Sequence, residues 1–414
     1  MLNIIFILIL SSFFSGCGIK SLSADQDNRQ LSDISILTNR TTTENSLWNG
    51  WKSRYKHVLE SGTIIVDQSS NRAFSEAMGH ALLLSVQFND QDFFDAILNG
   101  LTYFLNNHGL YAWEIMIDGN KFSDPNKNVS ASETELNVLF ALIQAKQLVK
   151  FGIWKDNGYL SKAENFEDLV WQYEVTSFNG FYIFLPSDGK ENPYWPIVYE
   201  NGLIKAVAYA PTYFNPAFIS EFALAFPDHP WHQLRLNGLE FMHYALNHSQ
   251  ALLANDSGVS FLNPIADWVW IQSSSSDNFV LANYFDNPYG PDYCNEFDTI
   301  RVPLYLGLDY FWNNNIEVKE LLVSFNLMSG VDNVSEAYVG ASTSTPLGYH
   351  NNLAIGMYGI ANKVNNDQEF KNYISSEIHS SLEYFGDTPQ YYYNQTFILY
   401  SYLVLNNRFL KLIY

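Results

Sequence analysis

Helical periodicity dominates this chain and limits the folds open to it. Between residues 47 and 405, apolar residues recur at helical spacing in twelve segments, separated by loops rich in Gly, Pro and Asn. Only Asn179–Phe184 favours a short β segment. The predicted helices are Leu47–Ser61, Glu76–Phe88, Asp92–Asn107, Ser132–Phe151, Asn165–Val175, Pro216–Phe226, Trp231–Leu252, Asp298–Trp312, Glu317–Ser329, Asn351–Val364, Asp367–Leu382 and Tyr391–Leu405.

Twelve helices of this length suit six helical hairpins packed in a ring. In such an all-α (α/α)6 barrel, the inner helices would be apolar nearly all round and the outer helices amphipathic. The ring would leave a cleft at one end, lined by the ends of the inner helices and their loops. Periodicity alone is also compatible with an α-solenoid, although no period of about 20–50 residues repeats in the sequence.

The N-terminus has the pattern of an exported protein. Residues 2–14 are mostly apolar, a length that fits a secretory signal and is too short for a comfortable transmembrane helix. The segment ending at Cys17 resembles a bacterial lipobox, which implies lipidation of the Cys17 thiol; the alternative is an ordinary signal peptide. We therefore predict a signal peptide (1–16), a flexible tether (17–46) and a barrel domain (47–414). We expect an exported protein that is attached to a membrane only through a lipid anchor, either in the periplasm or at the cell surface. Without the anchor, the protein would be secreted.

Charge and cysteine content narrow the partners and cofactors. The net charge of −21 argues against nucleic acid and anionic membrane surfaces and is compatible with a neutral or cationic substrate. With Cys17 lipidated, Cys294 would be unpaired in the mature chain, so we expect no disulfide framework. No His/Cys/Asp cluster has metal-ligand spacing, so we expect neither a metal nor a cofactor. We expect a monomer.

A carboxylate, Glu76, opens an apolar helical run. The nearest permanent cation in sequence, Arg72, lies upstream of the predicted helix start and need not pair with it. Desolvation at the mouth of such a helix favours the protonated form of a carboxyl group, which a general acid needs. The alternative is that Glu76 only caps a helix, or pairs with Arg72 or a distant base. His80, one turn along, either tunes Glu76 or is a hydrogen-bonded core residue.

Two further carboxylates, Glu133 and Glu135, open another apolar helix. Residues two apart point about 200° apart on a helix, so the two do not share a face. One could face the cleft while the other serves the helix N-terminus. The alternative is that both only interact with the helix dipole.

Asp298 and Arg301 are spaced so that they can touch on a helix. Arg301 would keep Asp298 ionised, as a general base requires; the alternative is a surface ion pair at a helix start. Two carboxyl groups held in opposite protonation states are the pattern of acid/base glycoside hydrolysis. Asp267 and Asp309 are interpreted as structural or substrate-orienting. Aromatic residues that could stack on sugar rings are Trp113, Trp195, Trp268, Trp270 and Tyr391.

Seven short motifs occur in one order over about residues 48–409. They are Ser75–His80, Leu110–Trp113, Ala131–Leu136, Phe214–Ala217, Ala266–Trp268, Phe297–Val302 and Tyr392–Gln395. In this order the chain resembles glycoside hydrolase family 8, and within it the endoglucanases associated with bacterial cellulose synthesis. Each motif alone is weak, and the shared order makes the resemblance strong.

The resemblance implies an (α/α)6 barrel and inverting, endo-acting hydrolysis of a β-1,4-linked polysaccharide, such as a cellulose-like glucan or an exopolysaccharide. Glu76 would protonate the leaving glycosidic oxygen, and Asp298 would activate water about 6.5–9.5 Å away. Glu133 or Glu135 would contact the sugar at the cleavage point. Further substrate-binding residues implied by the resemblance are Trp113, Asn215, Asp267, Trp268, Arg301 and Tyr392.

The chain departs from the family pattern near these residues. Ala77 replaces a Gly, His80 replaces a Tyr, and both Asp residues of a D-x-D motif are Glu133 and Glu135. The extra methylene moves a carboxylate by about 1.5 Å, enough to disturb a positioned sugar contact. The alternatives are a non-catalytic glycan-binding lipoprotein on the same barrel and a polysaccharide lyase on a different α/α barrel. Cellulose, xylan, chitosan and a self-made exopolysaccharide all remain open as substrates.

Overall fold

The computed structural model describes residues 29–67, 70–124, 127–188, 197–254, 269–273, 279–282, 301–326, 352–365 and 392–412. Twelve α-helices lie within these ranges. They are α1 (29–38), α2 (Thr42–Tyr55), α3 (Ser75–Gln87), α4 (Gln91–Gly100), α5 (Ser132–Lys150), α6 (Tyr159–Glu174), α7 (Pro216–Ala225), α8 (Trp231–Ala254), α9 (Val302–Asn313), α10 (Ile316–Asn326), α11 (Asn352–Asn365) and α12 (Tyr392–Leu405).

Six of these helices form a closed inner ring. Helix α3 packs on α5, α5 on α7, α7 on α9, α9 on α11, α11 on α12, and α12 returns to α3. Outer helices α4, α6, α8 and α10 each pack on the inner helix that precedes them, and α2 packs on α12. The inner position explains the apolar sequence of α3, because every residue from Ser75 to Gln87 is buried.

The described residues also form ten short strands outside the ring, more than the sequence predicted. Two four-stranded antiparallel sheets have the orders β1-β2-β3-β4 and β10-β9-β8-β7, and β5 pairs with β6 alone. The predicted β segment is the β5–β6 hairpin, whose turn residues Asn179 and Gly180 have φ of 50° and 81°. The strands are β1 (Lys56–Val58), β2 (Thr63–Asp67), β3 (Arg72–Phe74), β4 (Glu114–Met116), β5 (Val175–Phe178), β6 (Phe181–Phe184), β7 (Ile197–Glu200), β8 (Leu203–Tyr209), β9 (Val269–Ser273) and β10 (Phe279–Ala282).

The segment predicted to be a flexible tether contains a helix. Residues 29–38, placed in a flexible tether, are helical, and Leu37 is only 1 % exposed. The first predicted helix, Leu47–Ser61, is instead Thr42–Tyr55, because Thr41 and Glu44 form a capping box at its start. The polar composition of this stretch concealed its helical pattern. Cys17 and the predicted signal peptide lie outside the described residues, and no helix in the described ranges is long and apolar enough to cross a bilayer.

Helix α6 also begins earlier than predicted, at Tyr159 rather than Asn165. Gly158 precedes it with φ of 75°, a left-handed conformation that glycine adopts without steric penalty. Tyr159 is fully buried and donates a hydrogen bond to Asp95 on α4 at 2.8 Å. Packing of Tyr159 against α4 therefore stabilises a first helical turn whose own sequence has weak helical periodicity.

Gly79 allows the close approach of α3 and α5. A Cβ built at Gly79 would lie 2.9 Å from the Asn137 Cβ, so we expect Gly79→Ala to destabilise the fold by about 1–3 kcal/mol. Gly50 on α2 is the matched control, since a Cβ there meets nothing within 4 Å. Gly50→Ala should stabilise by about 0.5–1 kcal/mol through helix propensity. Urea unfolding of both variants checks this; equal effects at the two positions would contradict the tight contact.

Candidate active site

Glu76 lies at the junction where a strand enters an inner helix. Strand β3 (Arg72–Phe74) pairs with β4 and runs directly into α3 at Ser75. The Ser75 N–H donates to the Trp113 carbonyl at 3.0 Å, and its hydroxyl lies 3.0 Å from the Thr134 hydroxyl on α5. Glu76 is thus held at the N-terminal end of a buried helix, next to the loop that carries Trp113.

The Arg301 guanidinium sits between two carboxylates. Its Nη1 donates to Glu76 Oε1 at 3.1 Å and forms an ion pair with the carboxylate of Glu133. Its Nε donates to the Tyr393 hydroxyl at 3.1 Å, and the rings of Tyr213 and Tyr393 each lie 5.2 Å from the guanidinium carbon. The planar cation is therefore bound through both its edge and its faces.

The interpretation that Glu76 pairs with Arg72 is wrong. Arg72 Nη1 instead donates to Glu114 Oε1 at 2.7 Å, and Lys127 binds the other oxygen of Glu114. Within the described ranges, the permanent cation that contacts Glu76 is Arg301, which lies 225 residues further along the chain and reaches Glu76 through closure of the ring. Sequence proximity could not reveal this pair because it depends on ring closure.

Glu133 is enclosed by donors. Its carboxylate accepts a hydrogen bond from the Tyr305 hydroxyl, ion-pairs with Arg301, and lies 3.8 Å from His80 Nε2. The Glu133 side chain is 2 % exposed, against 12 % for the side chain of Glu76. In this arrangement Glu76 is the carboxylate of the pair that keeps an accessible edge, and Glu133 is an interior partner of Arg301.

His80 is a hydrogen-bonded core residue. Its Nδ1 lies 3.2 Å from the Tyr400 hydroxyl and 3.4 Å from Asn137 Nδ2. Burial, together with the nearby Arg301 charge, lowers the pKa of His80 to about 3, so the ring is neutral at physiological pH. His80 therefore adds no positive charge next to Glu133.

Glu135 points away from Glu133, as the helical spacing predicted. It is fully buried, and its Oε1 accepts a hydrogen bond from the Tyr111 N–H at 2.9 Å. Burial raises the pKa of Glu135 well above its usual value, and the charges of Asp188 and Glu76 raise it further. Glu135 thus lies beneath the loop that contains Trp113.

The other predicted substrate-binding residues occupy different positions. Trp113 is 37 % exposed next to Phe74, with ring centroids 5.8 Å apart. Tyr392 is buried and stacks on Phe74, with ring centroids 6.0 Å apart, and burial raises the pKa of Tyr392 well above the usual value. Asn215 is buried and caps α7 by accepting from the Phe218 N–H at 3.3 Å. Of these three, Trp113 offers an exposed ring.

Asp309 has a structural position, as one of the two interpretations predicted. It is fully buried, accepts from Arg235 Nη2 at 2.5 Å, and accepts from Asn313 Nδ2 at 2.7 Å. The described chain resumes at Arg301, so the predicted base is not among the described residues. Five predicted residues lie outside the described ranges: Trp195, Asp267, Trp268, Tyr391 and Asp298.

Sequence reasoning missed the aromatic residues around Arg301. Tyr305 lies one helical turn after Arg301, a spacing that could have suggested contact on the same face of α9. Tyr393 follows Tyr392 inside a quoted motif, although only Tyr392 was predicted to bind substrate. Tyr213 has no local signal, because it reaches Arg301 from the turn before α7.

One group of side chains in the described residues could geometrically hold a metal ion. Ligand atoms of Glu167, Asp168 and His229 lie within 4.8 Å of one another. The oxygens of Glu167 are already engaged by Trp231 Nε1 at 2.5 Å and His229 Nδ1 at 2.8 Å. This hydrogen bonding accounts for the cluster without an ion, so we assign no metal there.

Residues 28–400 match the model described as glycosyl hydrolases family 8. The chain belongs to glycoside hydrolase family 8. The match covers the whole stretch that carries the seven motifs, and the predicted resemblance is confirmed. The predicted class of enzyme, a glycoside hydrolase, is confirmed at the level of the family.

Individual members of family 8 are only distantly similar. Endoglucanase A of Acetivibrio thermocellus is 23 % identical over 376 residues, which cover 87 % of this chain and 68 % of that protein. Endoglucanase 2 of Ruminiclostridium josui is 23 % identical over 317 residues, covering 73 % of this chain and 59 % of that protein. The chain thus spans about three fifths to two thirds of the length of these relatives.

Solved structures support the fold. A β-1,3-1,4-glucanase from Paenibacillus sp. X4 superposes with a TM-score of 0.69 at 18 % identity, covering 89 % of this chain and 94 % of that one. With the closed ring of inner helices, this likeness confirms the predicted (α/α)6 barrel.

Proposed function

We propose that this protein is an inverting, endo-acting glycoside hydrolase that cleaves a β-1,4-linked glucan. The observation that carries the proposal is the position of Glu76, a carboxyl group with an accessible edge at the start of an inner helix. It is paired with a buried Arg301 and lies next to the loop that carries the exposed ring of Trp113. Glycoside hydrolysis requires such a carboxyl group beside a surface that can bind a sugar.

Exposure and pairing distinguish Glu76 from Glu133 as the proton donor. The Glu76 side chain is 12 % exposed and the Glu133 side chain is 2 % exposed, and both carboxyl groups contact the guanidinium of Arg301. Tyr305 donates a further hydrogen bond to Glu133. A glycosidic oxygen can therefore approach Glu76, whereas the carboxyl group of Glu133 is enclosed by protein donors.

The proposed reaction places the second carboxyl group on the opposite face of the sugar. Glu76 gives its proton to the leaving glycosidic oxygen, while Asp298 removes a proton from the attacking water. The C–O bond to the leaving group breaks as the water oxygen bonds to the anomeric carbon, so the configuration inverts. Exchange with solvent then returns a proton to Glu76 and removes the proton that Asp298 took from the water.

The substrate class follows from charge and from family members. A neutral glucan meets no electrostatic repulsion from a chain with a net charge of −21, whereas a uronic-acid polymer would. Related proteins named endoglucanase indicate internal cleavage of glucans. An aromatic ring such as Trp113 can stack on the apolar face of a glucose unit. We further propose export with a lipid anchor at Cys17, on the sequence pattern alone.

A non-catalytic glycan-binding role is the second candidate. It is favoured by the enclosure of Glu133, whose carboxylate is engaged by Arg301 and Tyr305 rather than open to a sugar. The two candidates differ in one measurable property, because a binding protein retains glucan on an affinity gel but releases no new reducing ends.

The test is a screen on cellulose, mixed-linkage β-glucan, xylan and chitosan. We expect a rapid fall in viscosity of a soluble β-1,4-glucan, oligosaccharide products by mass spectrometry, and α-anomeric products in early NMR spectra.

Asp298→Asn should lower kcat about 10²–10⁴-fold, as removal of a general base does. The exposed Glu60→Gln is the matched control and should be fully active. Glucan binding without any product would favour the second candidate, and β-anomeric products would exclude inversion.

A further inference from the structure

Three buried carboxyl groups lie below the Trp113 loop, outside the proposed acid–base pair. Glu135 on α5 and Glu174 at the end of α6 are both 0 % exposed, and Asp188 after β6 is 3 % exposed. Among the described residues, the one basic side chain that contacts the cluster is His108, whose side chain is 43 % exposed. Three acidic groups in such an interior must be balanced by hydrogen bonds or by protons.

Hydrogen bonds account for Asp188. Its Oδ1 accepts from the Ser130 N–H at 2.8 Å, and its Oδ2 accepts from Asn106 Nδ2 at 2.6 Å. His108 Nδ1 lies 2.8 Å from the same Oδ2. Asp188 is therefore satisfied as a carboxylate, and the balance of the cluster falls on the other two groups.

Glu135 and Glu174 are each satisfied on one side only. Glu135 Oε1 accepts from the Tyr111 N–H, and Glu174 Oε1 accepts from the Ser130 hydroxyl at 2.5 Å. The second oxygen of each carboxyl group is buried without a donor among the described residues. A buried carboxylate oxygen with no donor is unfavourable, whereas a protonated carboxyl group becomes a donor itself. Two such oxygens in one cluster favour an added proton.

The same cluster anchors the loop that positions the site. Ser130 pairs with Ala112 in an isolated β-bridge, and the Trp113 N–H donates to the Val129 carbonyl at 2.7 Å. The Trp113 carbonyl in turn accepts the Ser75 N–H at 3.0 Å, one residue before Glu76. A change in the charge of the cluster would therefore act on Trp113 and on the start of α3.

We propose that Glu135 and Glu174 hold a structural proton that keeps the Trp113 loop in place, and that loss of this proton at alkaline pH weakens substrate binding. The two residues are positioning residues, since they act through the Tyr111 N–H and the Ser130 hydroxyl rather than on the sugar. The effect on substrate rests on the proposed function; the effect on folding does not.

Titration of the pair depends on all the groups that face it. Burial is the main cause that raises the pKa of both Glu135 and Glu174 well above the usual value, and each is raised further by neighbouring carboxylates. Asp188 acts on both, Glu76 acts on Glu135, and Glu135 acts on Glu174. In the part of the chain that the structure describes, His108 and the neutral Tyr111 are the remaining titratable neighbours of the cluster.

The sign of the pH dependence follows from these directions. A folded-state pKa above the unfolded value of about 4.3 gives a stability contribution that is complete below pH ~4 and is lost as pH rises through the folded pKa. We therefore expect the urea concentration at the unfolding midpoint of the full chain to decrease as the pH is raised from about 5 to about 9. Glu174→Gln keeps an acceptor for Ser130 and adds a permanent donor, so its midpoint should match the parent at pH 5 and exceed it at pH 9.

Kinetics on β-glucan test the second half of the proposal. In the parent, KM should rise at alkaline pH, and in Glu174→Gln this rise should be at least threefold smaller at pH 9. Glu174→Ala, which removes both acceptor and donor, should have a raised KM at every pH. Glu60→Gln controls for a change of surface charge. If the urea midpoints of the parent and Glu174→Gln change with pH in parallel, the structural proton is overturned. If the urea midpoints diverge with pH but KM changes identically in both proteins, the coupling of the proton to substrate binding is overturned. Absence of any hydrolysis would instead refute the proposed function and leave the urea result to decide the proton.

Discussion

Glu76→Gln is expected to lower kcat on a β-1,4-glucan about 10²–10⁴-fold, because the amide cannot protonate the leaving glycosidic oxygen. The variant should fold normally, since Gln has the same shape and can still accept a hydrogen bond from Arg301. Retention on a glucan affinity gel should be within about twofold of the parent. Reducing-end assays with purified protein measure the loss, and Glu60→Gln is the exposed control.

A substrate that needs no acid separates the proton donor from a merely structural role. An aryl cello-oligoside with dinitrophenolate as leaving group departs without protonation, so Glu76→Gln should lose far less activity on it than on the glucan. Equal losses on the two substrates would contradict the assignment of Glu76 as general acid. A variant as active as the parent on both would remove the proposed mechanism altogether.

Arg301→Met is expected to have the largest effect on stability, about 3–5 kcal/mol in the free energy of unfolding. The substitution leaves the buried carboxylate of Glu133 without its cation and removes the donor to the Tyr393 hydroxyl. It also removes the cation between the Tyr213 and Tyr393 rings. Urea unfolding at pH 7 measures the change, and hydrolytic activity should fall with it because Glu76 loses its partner.

A double-variant cycle isolates the charge contribution. Combining Arg301→Met with Glu133→Gln removes both buried charges, so the double variant should be more stable than Arg301→Met alone. Arg408→Met is the matched control, since its partner Glu44 keeps a second cation, Arg40, at 3.1 Å. We expect a loss of about 1 kcal/mol or less there. Additive effects of the Arg301 and Glu133 substitutions would mean that the two side chains are not coupled.

The long periodic helices were predictable because a helix that is buried on every side has apolar residues along its whole local sequence. Helix α3 was predicted at Glu76–Phe88 and found at Ser75–Gln87, and α5 was predicted and found to begin at Ser132. Helices that depend on tertiary contacts were predicted less well. The starts of α2 and α6 were missed, since a capping box at Thr41 and the burial of Tyr159 decide them rather than periodicity.

In the candidate site, too, features set by local helix geometry were predictable, whereas features set by tertiary contacts were not. The opposite orientations of Glu133 and Glu135 followed from helical geometry alone, and the structure has them on different partners, Arg301 and Tyr111. The partner of Glu76 did not follow, since Arg72 is four residues away and Arg301 is 225 residues away. Likewise, no local pattern marks Glu174 as a member of a buried acidic cluster.

By itself, then, the order of residues determined the helical character of the chain, its family and the residues that resemble a glycosidase site. The three-dimensional fold alone decided which charges meet: Arg301 with Glu76 and Glu133, and Glu174 with the cluster around Ser130. The physical reason is the range of each effect. Periodicity and capping act within a few residues, whereas pairing and burial of charges depend on a ring that closes only when α12 packs on α3.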